Sequence, residues 1–191
     1  ESNSIYLGYD PSSTTSDAGY NIGVGEALKA ITTGDHNIGV GFDALAVNTT
    51  GSFNVAIGKD VLASNTTASE NSALGYGSLG SNTTGSNNTA LGFKSLESNT
   101  TASTNTAVGY ESLNKNTTGS ENNALGFKSL QKNTTGSKNI GIGNSALYEN
   151  TTGTENIAIG NGALDAADTE SGNLAIGYDA LGGPVAGGES N

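Results

Sequence analysis

The chain has 191 residues, 18 acidic against 7 basic side chains, a formal charge of −11, and no Cys, Met or Trp. Such acidity argues against binding nucleic acid or an anionic membrane, since both affinities come from Lys and Arg neutralising phosphates. The length suffices for a sizeable core, but only 34% of residues are apolar; they are mainly Ala, Leu, Ile and Val, which suits a narrow core repeated along an axis.

The first residue is Glu1, as expected of a processed product or an excerpt of a longer chain. Ser4–Gly8 reads as half a repeat, and Thr15–Ala30 as one a residue short, with Asn21-Ile-Gly-Val-Gly25 and Leu28 in place. Nine repeats of 17 residues then run from Ile31 to Gly183, followed by a tail over 184–191. The word Asn-Thr-Thr keeps the count, starting at Asn48, Asn65, Asn82, Asn99, Asn116, Asn133 and Asn150. A period this strict marks one supersecondary unit stacked on itself, so residues 1–191 form a single repeat domain. No stretch reaches the ~20 apolar residues of a membrane helix.

Within each repeat an Asn column (Asn37, Asn54, Asn71, Asn88, Asn105, Asn122, Asn139, Asn156, Asn173) comes first. Three residues on sits an aliphatic column (Val40, Ile57, Leu74, Leu91, Val108, Leu125, Ile142, Ile159, Ile176), then an unbroken Gly column from Gly41 to Gly177. Four residues later comes a Leu column that includes Leu62, Leu79, Leu96, Leu113 and Leu130. The Asn and Leu columns are predicted to be structural ladders.

The stretch around Ala90-Leu91-Gly92-Phe93 predicts a short strand. Alternation puts Leu91 on one face and Ala90 with Gly92 on the other. The aliphatic face is assigned to the core, and the Ala/Gly face to close approach by another backbone. The aromatic column that follows (Phe42, Tyr76, Phe93, Tyr110, Phe127, Tyr178) can cover the strand edge or stack from rung to rung. Lys94–Ser98 fits either a second short strand or a helical turn that tucks Leu96 inward. Asn-Thr-Thr-Gly-Ser supplies turn chemistry. Gly85, Gly119, Gly136 and Gly153 give way to Ala68 and Ala102 elsewhere, so positive φ is not obligatory there. The predicted fold is all-β: a parallel β-solenoid or β-roll of about ten rungs ~4.8 Å apart. Close packing of three chains around an axis through the Ala/Gly face is the simplest assembly.

Each Asn-Thr-Thr is also a glycosylation sequon, as is Asn87-Asn88-Thr89. Glycans at strand spacing would crowd one another, so a turn-forming Asn ladder is the stronger reading. The Thr columns invite an ice-binding reading, but adjacent Thr in turn sequence do not both face outward. His36 shares its column with Phe53, Glu70, Asn87, Thr104 and Glu121, a tolerant surface position rather than a catalytic one. Asp43, Asp60, Glu111 and Asp179 share a column with Lys94 and Lys128, so no acid pair stands out. The turn Asp165–Glu170 is a weak calcium candidate without the β-roll nonapeptide. Lys94, Lys115, Lys128, Lys132 and Lys138 gather in the middle rungs; an anionic surface glycan could bind there, but surface tuning is the stronger reading. No catalytic, cofactor or metal residue is predicted.

The motif Asn-Thr-Ala-(Leu/Val)-Gly-(Phe/Tyr)-x-Ser-Leu resembles repeats of phage and virus tail fibres. Ala56-Ile57-Gly58, Ala158-Ile159-Gly160 and Ala175-Ile176-Gly177 are similar to the head repeats of trimeric autotransporter adhesins, which have shorter rungs. The resemblance, over Ser4–Gly183, implies a homotrimeric fibre at a virion or bacterial cell surface that extends or attaches to a host glycan or receptor. It implies no enzyme. The alternative is an extracellular filament subunit stacking end to end through incomplete terminal rungs, since neither Ser4–Gly8 nor Pro184–Asn191 reads as a cap.

Overall fold

The computed structural model describes residues 4–8 and 18–183. The tail 184–191 and the start of the short repeat lie outside the described residues. Among the described residues eleven strands form, one per repeat: β1 (Ile5–Gly8), β2 (Ile22–Gly25), β3 (Ile38–Val40), β4 (Val55–Ile57), β5 (Ser72–Leu74), β6 (Thr89–Leu91), β7 (Thr106–Val108), β8 (Asn123–Leu125), β9 (Ile140–Ile142), β10 (Ile157–Ile159) and β11 (Leu174–Ile176). They pair in chain order in a single parallel sheet. The register is that of the repeat: Thr89, Ala90 and Leu91 lie opposite Thr106, Ala107 and Val108. The described residues contain no helix. The fold is a β-solenoid of about ten turns, ~50 Å long at ~4.8 Å per turn.

Rung-to-rung hydrogen bonding continues outside the sheet. Leu96 N–H donates to the Ser112 carbonyl at 3.1 Å, and Ser98 N–H to the Asn114 carbonyl at 3.0 Å. Thr100 N–H likewise reaches the Thr117 carbonyl at 3.1 Å. The segment Lys94–Ser98 is therefore neither a strand nor a helix. It is a turn, closed by the Asn99 N–H on the Leu96 carbonyl at 3.1 Å.

The strand faces are the reverse of the sequence expectation. Ala56, Ala73, Ala90, Ala107, Ala124, Ala158 and Ala175 are buried, while Ile57, Leu74, Leu91 and Leu125 point outward. The reason is the thinness of the coil. The Leu column from Leu28 to Leu164 is fully buried and fills the interior from the turn side. The strand residue facing it must then be small: a Cβ built on Gly39 would lie 3.0 Å from Ala27 Cβ and 3.2 Å from Leu28 Cγ. Two layers of large side chains do not fit, so the Ala/Gly face is the coil's own core and cannot meet neighbouring chains. Packing of three chains through that face is thereby ruled out.

Leaving the strand requires glycine. Gly41 through Gly177 hold φ between +126° and +140°, a region closed to other L-residues. From Gly41 to Gly160 an added Cβ would also run into the carbonyl of the same glycine one rung on. Three further columns hold positive φ without consistent glycine: the Leu column (Leu96 at 51°), the Lys94 column (53°), and the His36 column (57°). Left-handed backbone costs an L-residue roughly 1–2 kcal/mol, offset here by the rung-to-rung bonds that the turns complete. Gly85, Gly119, Gly136 and Gly153, by contrast, do not take positive φ.

Candidate interaction surface

The outward face of the sheet is the most distinctive surface. Each three-residue strand sends its first and third side chains out, and the third is aliphatic in every rung. Exposure along that column is 37% at Ile57, 43% at Leu74 and 49% at Leu125. The first position is apolar toward both ends (Ile22, Ile38, Val55; Ile140, Ile157, Leu174) and polar at Ser72, Thr89, Thr106 and Asn123 between them. A shallow groove runs over Val55, Ile57, Leu74 and Leu91.

The aromatic column borders this stripe just past the positive-φ glycine. Tyr76, Phe93, Tyr110 and Phe127 stack with centroids 5.1–5.4 Å apart and interplanar angles of 8–15°. This stacking follows from rung spacing, which lies inside the range favoured by offset aromatic pairs. Lys59 occupies the gap in the column, its ammonium 5.7 Å from the Phe42 centroid and 5.5 Å from that of Tyr76. Because interior rings cover one another's faces, edges are what the column offers, and sugar stacking on a ring face has no place within the stack.

The two Asn columns form buried ladders. In the first, the backbone N–H of Asn54 donates to Asn37 Oδ1 at 3.0 Å and its Nδ2 to the Ala68 carbonyl at 2.8 Å. The pattern repeats as far as Asn173, whose N–H reaches Asn156 Oδ1 at 3.0 Å. In the second, Asn99 Nδ2 donates to Asn82 Oδ1 at 2.9 Å and to the Ala102 carbonyl at 3.0 Å. The ladders meet on shared carbonyls: Gly85 O accepts from both Asn71 and Asn82. All seven Asn-Thr-Thr asparagines are fully buried, with Nδ2 in hydrogen bonds. Sequence reasoning missed that a single carbonyl joins the two columns; the fixed three-residue offset from Asn82 to Gly85 was the signal.

The first Thr of each word donates its hydroxyl to the next rung, as Thr83 Oγ1 does to the Thr100 carbonyl at 3.0 Å. The second, such as Thr84, is exposed. One outward Thr column beside the mixed His36 column is not a flat paired array. His36 itself stacks between Tyr20 and Phe53, at 4.9 Å from each.

Four of the five mid-chain lysines are already paired: Lys94 with Glu97 (2.9 Å), Lys128 with Glu111 (3.7 Å), Lys132 with Glu149 (2.8 Å) and Lys138 with Glu155 (3.7 Å). Hydrogen bonds to Glu97 and Glu149 raise the pKa of Lys94 and Lys132. Near the C-terminal rungs, Asp168 Oδ1 accepts from Thr151 Oγ1 at 2.5 Å, and Glu170 Oε2 accepts the Asp168 N–H at 2.9 Å. No group of three His, Cys, Asp or Glu converges as metal ligands among the described residues. Among them, too, no helix is long and apolar enough to cross a membrane.

Comparison with family models, curated proteins and solved structures returns no match.

Proposed function

We propose that the chain is a rigid structural segment of a surface fibre, of the tail-fibre or adhesin kind, and that it works as a lateral assembly of identical copies. The observation that carries this reading is the outward aliphatic column, continuous along the solenoid, with aromatic rings beside it at Phe42, Tyr76, Phe93, Tyr110, Phe127 and Tyr178. Its footprint is roughly 50 Å by 15 Å, from ~4.8 Å per rung and ~7 Å between alternate residues on a strand. That is close to the ~800 Å² per partner of a standard interface, its third strand column aliphatic in every rung and its first polar at Ser72, Thr89, Thr106 and Asn123. A second copy fits best because its stripe has the same length and pitch, and three copies would place their stripes around a common axis. Attachment would follow from multivalent display along such a fibre.

Analytical ultracentrifugation of the chain, with Leu74→Lys/Leu91→Lys/Leu125→Lys beside it, tests this. Dimers or trimers are expected for the parent, and monomers with an unchanged β spectrum for the triple variant. A monomeric parent at tens of micromolar would sink the assembly reading.

A further inference from the structure

Eight sequons occur in this chain, seven Asn-Thr-Thr words and Asn87-Asn88-Thr89, and the fold treats them in opposite ways. At each of the seven words the Asn side chain is fully buried. Its Nδ2 donates to the carbonyl three residues on, from Asn48 to Gly51 O at 2.9 Å through Asn150 to Gly153 O at 3.2 Å. In all but Asn48 it also donates to the Asn one rung back, at 2.8–3.1 Å. N-linked transfer replaces one of those two N–H hydrogens. The Nδ2 lone pair forms a bond to the anomeric carbon of a lipid-linked pyrophosphoryl sugar, the lipid pyrophosphate departs, and the displaced proton goes to the transferase base. The product amide keeps a single N–H where six of the seven positions use two. A sugar ring would also have to occupy a buried site with a neighbour ~4.8 Å above and below.

Asn87 is built differently. It sits at φ 60° in the exposed turn column, a backbone state that Asn adopts more readily than most residues. Its backbone N–H bonds the Ser69 carbonyl at 3.2 Å, and its side chain takes no part in either ladder. The third sequon residue, Thr89, opens β6 with its side chain outward.

We propose that N-glycosylation and this fold are mutually exclusive at the seven Asn-Thr-Thr words, and that Asn87 is the one sequon able to carry an N-linked sugar on the folded chain. The modification therefore acts on folding: a sugar at any word breaks that ladder at its rung and removes one of the two donors to the carbonyl shared with the other ladder.

The chain would be made in the cytosol of a cell without sequon-directed transfer, and separately routed through a glycosylating secretory pathway. Site occupancy is read by peptide mass mapping of protease-resistant and protease-sensitive fractions. A second gene carries Ala at the exposed second threonine of each word (Thr50 through Thr152), which abolishes the seven sequons and leaves the Asn ladders intact. The cytosolic chain is expected to be β-structured and protease-resistant. Sugars at the seven words are expected only in the protease-sensitive fraction. The Thr→Ala set should be secreted folded with one sugar, at Asn87, lost on adding Asn87→Gln. Should the Thr→Ala set not fold in the cytosol, the isosteric Thr→Val set serves instead. A protease-resistant molecule bearing a sugar on any of the seven asparagines overturns the proposal, as does a folded sequon-free set with Asn87 unmodified.

Discussion

Replacing Asn122 by Ala measures what one ladder residue contributes. The Asn122 side chain makes three hydrogen bonds: Nδ2 to the Gly136 carbonyl at 2.8 Å, and Oδ1 accepting from Asn139 N–H at 3.0 Å and Asn139 Nδ2 at 3.2 Å. Gly136 O retains Asn133 as donor, and Asn139 Nδ2 retains the Gly153 carbonyl. The one group left without a partner is the buried backbone N–H of Asn139. Three bonds at ~1 kcal/mol each, with ~1–3 kcal/mol for the orphaned donor, give roughly 4–5 kcal/mol after allowing for overlap. Urea unfolding followed by far-UV circular dichroism reads this directly. With a slope near ~2 kcal/mol/M for a chain of this size, the midpoint should fall by about 2 M. Hydrogen exchange should rise first around Asn122 and Asn139, since solenoid stability is a sum of nearest-neighbour terms. A midpoint shift below ~0.5 M would refute the reasoning that these buried ladder bonds stabilise the stacked rungs.

Three other substitutions are informative. Asn150 Oδ1 is buried without a partner because Ala167 stands where the next ladder Asn would be. Ala167→Asn should supply that donor, stabilise by about 1 kcal/mol and raise the melting temperature by roughly 2–4 °C in a scanning calorimeter. Thr104 is β-branched, exposed and held at φ 60°, so Thr104→Gly, the residue its column already has at Gly172, should gain about 0.5–1 kcal/mol in urea unfolding. Asp165 has its carboxyl pKa raised, first by burial and then by the neighbouring Asp179 charge. A carboxyl whose pKa is higher folded than unfolded stabilises the fold below the usual Asp range and loses that contribution as pH rises through the raised value. Asp165→Asn should therefore be more stable than the parent at pH 7, the difference disappearing as pH falls through 3.8 and below; a constant difference across that window would contradict the assignment.

The period made the rung, the strand and the inward Leu column legible. A strict column reports a fixed environment whatever that environment is. It did not reveal which strand face was interior. Leu91 and Ala90 alternate whether the larger residue points in or out, and hydrophobicity alone favours Leu91 as core. What decides is a volume constraint from another segment: the Leu column already occupies the coil, so only Ala or Gly fits opposite. The positive φ at Thr104, Glu121 and Lys138 was likewise hidden. Those residues have no left-handed preference, and the conformation is imposed by turns closed rung to rung. For the Asn-Thr-Thr word, sequon chemistry and turn chemistry use the same amide nitrogen, and only the hydrogen-bond partners of Asn82 or Asn99 distinguish them.

The inverted strand also explains why a chain poor in large apolar residues leaves so many of them outside. Filling a coil of this cross-section takes one Leu, the small residue before it (such as Ala44, Ser95 or Ala146) and one Ala or Gly from the strand per rung, with Asn amides satisfying the turns. Any further aliphatic residue has no interior position left. Ile57, Leu74, Leu91 and Leu125 lie outside that interior and remain 37–49% exposed, whereas the first strand position accepts Ser72 and Thr89. A side chain outside the interior, kept aliphatic through nine successive rungs, is better accounted for by what lies against it. In the triple lysine variant, the coil's own core and ladders are untouched, so its β spectrum should persist while self-association is lost. Were that variant instead to unfold, the outward column would be part of the coil's own stability, and the argument for a partner surface would fail with it.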